Sequence, residues 1–132
     1  MTAMTFFNPP GVYDAKQFAY SHASRMGDLI FVAGTIAHDK NGNLVGKDDP
    51  RAQTEQVFSN LKTILEACNS GLDRVGKLTV LITDISYRPI VHEIRTRTFA
   101  PYNVLPASTL AVVSQLANPG WLVEIEAVAA AR

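Results

Sequence analysis

The sequence is poor in cysteine and in charge, and it carries no net charge of either sign. Cys68 is the only cysteine, and twelve basic side chains are balanced by twelve acidic ones. One cysteine excludes an internal disulfide and a zinc site made of several cysteines. A nucleic-acid-binding protein is disfavoured, because affinity for phosphate comes mainly from an excess of Lys and Arg.

A long apolar run is also lacking. No stretch approaches the roughly 18 residues that a membrane span needs. The first residues have neither the basic nor the apolar region of a signal peptide. We therefore expect a soluble, cytoplasmic protein that has neither a membrane nor nucleic acid as a partner.

Motifs for metal, phosphate and serine chemistry are missing too. His22, His38 and His92 lie far apart without the spacing of metal ligands, so no metal site is predicted and the histidines are expected in loops or at the surface. No serine stands in a G-x-S-x-G setting, and there is no glycine-rich phosphate loop. Cys68 lies on the apolar stripe of a predicted helix, which favours a core residue over a nucleophile.

What the chain has is the size and pattern of one domain. Its 132 residues predict a single domain over 1–132, since a chain of this length buries roughly 68% of its unfolded surface in one core. Charged residues make up 18% of the chain, whereas about a quarter is usual. A small domain with so few charges can bury further surface in an oligomer.

Apolar spacing and turn residues predict the element order strands, helix, strand, helix, strands. After a lead-in of 17 residues, the predicted strands are a hairpin with arms 18–22 and 29–33, a strand at 77–83, and two final strands at 109–116 and 121–129. The first predicted helix runs from a cap at Asp49 to Cys68, and Gly71 supplies its stop. The second predicted helix has its cap at Asp84 or Ser86 and ends before Pro101. This order is typical of an α+β domain in which two helices cover one face of a mixed sheet. The other face needs cover, and we expect a partner subunit to provide it.

The last predicted strand places two carboxylates on one face. Alternation puts Val123 and Ile125 on one side and Glu124 and Glu126 on the other, with the two carboxylates roughly 7 Å apart. A solvated strand face is one interpretation. The other is a carboxylate with a raised pKa that acts as a general acid or base in an interface cleft.

Three arginines, Arg88, Arg95 and Arg97, form a modest basic cluster on the second predicted helix. An ordinary helix surface is the favoured interpretation. Anion binding is the alternative, and the spacing alone gives it no support.

Five segments in register resemble the Rid family, also called YjgF or L-PSP proteins. The similarity runs from Asn8 to Ala129, and it includes the family's tyrosine in an early strand, here Tyr20. Two segments match family patterns in the first half of the chain: Phe31-Val-Ala-Gly-Thr-Ile36 matches (I/F)-x-S-G-Q-(I/T), and Gln53-Thr-Glu-Gln-Val-Phe-Ser-Asn-Leu61 matches Q-T-x-Q-x-x-x-N-(L/I/V). Two more match in the second half: Leu105-Pro-Ala107 matches the start of P-A-R-(S/T), and Val123-Glu-Ile-Glu-Ala-Val-Ala129 matches (V/I)-E-I-E-x-(V/I)-A.

The resemblance implies a chorismate-mutase-like fold in a homotrimer with a barrel-like centre and ligand clefts between subunits. Members of this family hydrolyse reactive enamines and imines to 2-oxo acids and ammonia without a cofactor. The family's glutamate that positions water corresponds to Glu124. Tyr20 would shape the pocket, and backbone N–H groups near Gly34 and Ala107 would hold a developing negative oxygen.

The sequence departs from the family pattern where the substrate carboxylate is bound. Ser108 stands in place of the arginine, and a hydroxyl cannot replace a bidentate guanidinium, whose charged contact is worth about 1.5–3 kcal/mol. His92 stands where an asparagine is usual, Leu110 where a cysteine is common, and Thr35 where a glutamine is usual. These changes imply an altered specificity.

Three outcomes fit these departures: a substrate without that carboxylate, a carboxylate held by another cation such as His92 or a helix arginine, or a trimer that binds ligands or acts like a chaperone without turnover. The ribonuclease activity sometimes ascribed to the family is disfavoured by the zero net charge.

Overall fold

A mixed six-stranded sheet with two helices on one face makes up the computed structural model, which describes residues 2–132. The strands are β1 (Met4–Phe7), β2 (Ala23–Met26), β3 (Leu29–Thr35), β4 (Val75–Ile82), β5 (Ala107–Val112) and β6 (Val123–Ala130), and the helices are α1 (Pro50–Ala67) and α2 (Arg88–Phe99). The sheet order is β1-β2-β3-β6-β4-β5, in which only the β4–β5 pair is parallel. The predicted α+β architecture is confirmed.

The long helix α1 forms where its local signals predict it. The Asp49 side chain accepts the N–H groups of Arg51 and Ala52, and Pro50 fills the first turn, where a missing N–H costs nothing. The buried residues of the helix face the sheet; they are Gln53, Thr54, Val57, Phe58, Asn60, Leu61, Ile64 and Leu65. The helix ends at Ala67 rather than at the predicted glycine.

The stop after α1 comes from Asn69, which takes the left-handed conformation with φ 55°. Asn is one of the few residues besides Gly that tolerate this conformation. Gly71, the predicted stop, is extended instead and precedes a short 3-10 turn at Leu72–Arg74.

Gln53 ties α1 to the turn before β6. Its amide nitrogen donates to the carbonyls of Gly46 and Gly120, both at 3.0 Å. Its amide oxygen accepts the N–H of Leu122 at 2.9 Å. The side chain is fully buried, and its bonds to Gly120 and Leu122 fix where β6 begins.

Asn60 makes a similar connection to the chain that leaves β3. Its amide nitrogen donates to the carbonyls of Ile36 and His38 at 3.0 and 2.8 Å, and its oxygen accepts from Gln56. Gln53 and Asn60 of the Q-T-x-Q-x-x-x-N segment are therefore buried anchors of the fold, and the half-buried Gln56 supports Asn60.

The central strands carry the alternation that the sequence predicts. In β6, Val123, Ile125 and Ala127 are buried against the helices, whereas Glu124 and Glu126 point to the other face. The predicted strand at 77–83 is β4, which lies between β6 and β5. The last two predicted strands are confirmed with shorter bounds.

The N-terminal prediction is wrong in two places. The lead-in contains a strand, β1, which pairs along β2 at the edge of the sheet. The first arm of the predicted hairpin is not 18–22, because Lys16–Phe18 forms a 3-10 turn that ends on left-handed Ala19. The arm is β2, and Gly27, at φ 61°, makes the turn to β3.

The second helix follows a short 3-10 turn at Ile85–Tyr87 that Asp84 caps through the N–H of Ser86. The helix itself begins at Arg88 and ends before Pro101, as predicted. Within residues 2–132, no helix has the length and apolar character to cross a membrane.

Candidate functional site

The carboxylate of Glu124 lies directly against the backbone of Gly34. A Cβ built on Gly34 would be 2.6 Å from Oε2 of Glu124 and 2.8 Å from its Cδ, closer than real Cβ atoms approach. The β3–β6 register is interrupted between Val32 and Thr35, which places Gly34 beside the glutamate. Only a glycine leaves the carboxylate where it is.

The surroundings of Glu124 favour its protonated form. The side chain is half-buried, and burial is the main cause of its raised pKa. The like charge of Glu126, two residues along the same strand face, raises the pKa of Glu124 further. A carboxyl group with a pKa nearer neutrality is better suited to exchange protons with a substrate or water.

Two tyrosines stand next to this carboxylate. Burial raises the pKa of Tyr20, and the charge of Glu124 adds to that rise, while a hydrogen bond with Tyr13 opposes it. Burial also raises the pKa of Tyr13, whose hydroxyl accepts the N–H of Ile36. Both phenols are therefore neutral at physiological pH and present hydroxyl groups near Glu124. We call Glu124, Gly34 and Tyr20 the glutamate site.

A cavity of about 500 Å³ opens beside the glutamate site on the sheet face away from the helices. Tyr20, Ala33 and Glu126 contribute to its lining, together with the aromatic rings of Phe6 and Phe31. The volume is in the range of small-molecule pockets.

A second group of predicted residues gathers at the junction of α2 and β5. Nη1 of Arg95 donates to Oγ of Ser108 at 3.1 Å, and Nη2 of the same guanidinium lies 3.4 Å from Nδ1 of His92. Arginine has no acceptor, so the imidazole nitrogen is the acceptor in this contact. A cation therefore lies within reach of the serine that replaces the family's arginine.

These three residues border a cleft of about 470 Å³ with largely apolar walls. We call it the α2–β5 cleft; its lining residues are His92, Arg95, Thr96, Phe99, Ala100, Asn103, Val104, Leu105, Pro106 and Ser108. Leu105 is 98% exposed, which is unusual for a leucine beside so many apolar neighbours.

The glutamate site and the α2–β5 cleft lie on opposite faces of the sheet. Ser108 is paired with Leu78, which is paired with Ala127 of the buried row, so Ser108 points to the helix side. Side chains alternate between the two faces along β6, so Glu124, three residues from Ala127, points to the face away from the helices. In a single chain, these two predicted site residues do not meet.

Ala107 and Gly34, the two predicted oxyanion donors, are also apart. Ala107 is the first residue of β5 and Gly34 lies in β3, and the order β3-β6-β4-β5 puts three strand spacings, roughly 14 Å, between them. One chain cannot aim both N–H groups at the same oxygen.

The remaining predicted binding residues face the helix side. The hydroxyl of Thr35 is buried and donates to the carbonyl of Ala33 at 3.0 Å. Leu110 packs partly against the core. Their contact with a ligand stays a prediction.

Two of the three histidines are more buried than predicted, whereas His92 is exposed, as predicted. His22 is 1% exposed, its ring contacts the carbonyl of Tyr13, and burial lowers its pKa. His38, predicted in a solvated loop, is half-buried and accepts a hydrogen bond from the indole N–H of Trp121 at 3.0 Å. Nearby backbone and aromatic groups hold both rings in place.

Cys68 is buried, as predicted, and burial raises the pKa of its thiol to about 11. In the described part of the chain, residues 2–132, no three His, Cys, Asp or Glu side chains are grouped so that they could hold a metal ion.

Sequence reasoning missed one residue of these sites and did not single out another. Arg95 was one of three helix arginines with anion binding as the alternative interpretation, although its spacing of three from His92 places both on one helix face. Tyr13 lies in the lead-in, where no periodic pattern exists to single it out.

The chain is similar to known proteins along almost its whole length. The family model described as endoribonuclease L-PSP matches residues 14–131. Protein HMF1 of Saccharomyces cerevisiae is 35% identical over 118 residues, which are 89% of this chain and 88% of the yeast protein. A RutC family protein of Pyrococcus abyssi is 36% identical over 110 residues, 83% of this chain and 84% of the relative.

Solved structures agree with this assignment. The structure of YEO7 from yeast has a TM-score of 0.90 at 32% identity and covers 98% of this chain and 100% of its own. The Rid protein YyfA of Yersinia pestis has a TM-score of 0.91 at 29% identity, with 97% and 99% covered. The chain therefore belongs to the Rid family, also known as the YjgF or L-PSP family.

Proposed function

We propose that the protein is a hydrolase of C–N bonds that acts on a small enamine or imine, with Glu124 as the residue that handles water. The observation that carries this proposal is the half-buried Glu124 carboxylate, with its raised pKa, held against Gly34 next to Tyr20. We further propose that it acts in the cytoplasm, as its composition suggests.

The chemistry needs one base and one acid, and a single carboxyl group can serve as both in turn. The enamine first becomes its imine tautomer, as carbon gains a proton and nitrogen loses one. Glu124 then takes a proton from water as the oxygen adds to the imine carbon, and it gives that proton to nitrogen, which forms a carbinolamine. The same carboxyl group next moves the hydroxyl proton of the carbinolamine to nitrogen as the C–N bond breaks, so ammonia leaves and a carbonyl compound remains. This balance needs no oxidant, reductant or cofactor.

We also propose that the protein assembles as a homotrimer that binds its substrate between subunits. The separation of Glu124 and Ser108 on opposite sheet faces supports this, because a neighbouring copy could bring one chain's Ser108 to another chain's Glu124. Exposed apolar side chains on the face away from the helices, Met4, Phe6, Met26 and Leu29, support it as well. Three chains of 14.4 kDa would give a particle of about 43 kDa.

Ammonia release tests the hydrolase. The purified protein is mixed with 2-aminoacrylate generated by an auxiliary enzyme, and with bulkier enamines such as 2-aminomuconate. We expect release above the spontaneous rate, reduced about 100-fold or more by Glu124→Gln, since general acid–base catalysis contributes roughly 10²–10⁴-fold.

The matched control is Glu126→Gln, which removes the neighbouring carboxylate and leaves Glu124 in place. Its rate at alkaline pH, above the acid limb of the wild-type pH profile, should stay within a few-fold of wild type. Wild-type activity in Glu124→Gln would contradict the assigned role.

A trimer that binds ligands without turnover is the second candidate. The observation in its favour is Ser108 itself, which cannot form the bidentate carboxylate contact of the family's arginine. Ligand binding without ammonia release across the whole enamine panel would favour this candidate.

A further inference from the structure

Arg95 and the apolar wall of the α2–β5 cleft together form a place for a small amphipathic anion. We propose that Arg95 binds the carboxylate of the ligand and that the wall beside it selects a ligand with an extended hydrocarbon part. The proposal deepens the proposed function by naming a ligand class, but it concerns binding and can be tested without turnover.

The guanidinium of Arg95 is held in place and still has free donors. Arginine carries five N–H groups, and two of them point to Ser108 and His92. The planar side chain is therefore positioned by a hydroxyl group and an imidazole, neither of which supplies a negative charge to the guanidinium. The remaining N–H groups can form the parallel pair of hydrogen bonds that a carboxylate accepts.

The ion pairs of the chain lie elsewhere. Within residues 2–132, Arg51 pairs with Glu93 and Arg97 with Glu55, at 2.8 and 3.1 Å, whereas no carboxylate lies within ion-pair distance of Arg95. Arg95 differs in this from Arg97, only two residues further along α2. An arginine that borders a cleft without an acidic partner is free for an anion from outside.

The charge of the cleft fits a monoanion. Among the described residues that line the cleft, Arg95 is the only lysine, arginine, aspartate or glutamate. A phosphate group, with a charge near −2, is usually held by several cations or backbone N–H groups. One planar guanidinium matches a carboxylate better.

The wall next to Arg95 is apolar and therefore favours a hydrocarbon group at the end of the ligand opposite its carboxylate. Phe99, Val104, Leu105 and Pro106 line the cleft, and the side chain of Leu105 is almost entirely exposed. Burial of one methylene raises affinity by about fourfold. A longer unbranched acid should therefore bind more tightly than a short one, until the cleft of about 470 Å³ is filled.

The test measures binding of acetate, butanoate and hexanoate by NMR titration or calorimetry, with hexanamide and inorganic phosphate as comparison ligands. For the wild type we expect affinity to rise along the series and to exceed that of both comparison ligands. Arg95→Gln should weaken hexanoate binding by about 10- to 100-fold, the effect of losing a charged hydrogen bond.

Arg97→Gln is the matched control, since it removes the same charge from the same helix away from the cleft, and it should leave the affinity unchanged. Thermal unfolding of both variants checks that they fold. Equal binding of hexanoate and hexanamide, tighter binding of phosphate, a series without a rise in affinity, or hexanoate binding unaffected by Arg95→Gln would each overturn the proposal.

Failure of this proposal can be told apart from failure of the hydrolase. If hexanoate binding depends on Arg95 but no enamine releases ammonia, the proposed anion site is supported and the proposed hydrolase activity is contradicted. Ammonia release that depends on Glu124, with binding indifferent to Arg95, would do the reverse.

Discussion

At the scale of single residues, Glu124 depends on its neighbours in two ways. Gly34 leaves room for the carboxylate, and Glu126 disfavours its charge. The first neighbour fixes where the carboxylate lies, and the second affects the pH at which it ionises. The two influences can be changed separately by mutation.

The pH profile of ammonia release should report the second influence. The base form of Glu124 is needed, so kcat/KM should fall as the pH drops through a pKa above that of an ordinary glutamate. Burial is the main cause of that rise and the charge of Glu126 the next. Glu126→Gln removes the like charge, lowers the pKa of Glu124 and moves the acid limb to lower pH.

Glu66→Gln is the control for this profile, because it removes the same charge from the exposed surface of α1. The acid limb should stay in place in that variant. A limb that fails to move in Glu126→Gln would show that Glu124 does not control the rate.

Which site residues can be predicted from sequence depends on how local their signals are. Strand alternation places Glu124 and Glu126 on one face. The family resemblance singles out Glu124 and adds Gly34 and Tyr20. The contact of Arg95 with Ser108 joins a helix to a strand that begins after a turn, and no periodicity within either element reports such a contact.

At the scale of elements, α1 is positioned by polar side chains as well as by its apolar stripe. Buried amides satisfy carbonyls of the neighbouring chain, where water cannot reach. Removal of one partner leaves those carbonyls without a hydrogen bond, which costs more than the bond itself contributes.

Asn60→Ala should therefore lower the free energy of unfolding by about 1–3 kcal/mol, because the carbonyls of Ile36 and His38 lose their donor. Urea unfolding at one fixed protein concentration measures this, since oligomer stability depends on concentration.

Ser59→Ala, one residue earlier on the exposed side of α1, should stay within about 0.5 kcal/mol of wild type. Equal stability of the Asn60→Ala and Ser59→Ala variants would contradict the anchoring role of Asn60.

The elements differ in how well the sequence predicts them for a physical reason. The start of α1 can be predicted from its own residues, because the Asp49 cap, Pro50 and the apolar stripe are all local signals. Strand β1 exists through its pairing with β2, in which Met4 lies opposite Met26, and it is a short edge strand with no buried face of its own. Its bounds therefore could not be derived from local patterns.

At the scale of the whole molecule, the sheet separates the two candidate sites. The helix face carries the α2–β5 cleft, and the open face carries the glutamate site and a cavity of about 500 Å³. The sequence predicts that one sheet face needs cover. The division of the sites between the faces appears only once the register is known.

If one cleft combines residues of two chains, two inactive variants should restore each other. Glu124→Gln and Arg95→Gln chains, given different tags and co-expressed, can be purified as mixed assemblies. In each mixed trimer about one of the three clefts unites an intact Glu124 with an intact Arg95, so about a third of wild-type activity should return.

Each variant purified alone is the control for this mixture, and light scattering checks the expected mass of about 43 kDa. Mixed assemblies no more active than their parents would contradict a cleft shared between chains.

The hydrogen bond between Trp121 and His38 gives the molecule an optical reporter of its own. Trp121 is the only tryptophan, and it lies two residues before β6 begins. Its indole N–H donates to the imidazole of His38. Burial lowers the pKa of His38, so the bond persists at neutral pH and breaks when acid protonates the ring. The fluorescence of Trp121 can thus report structural changes at the start of β6, the strand that carries Glu124, without any dye or label.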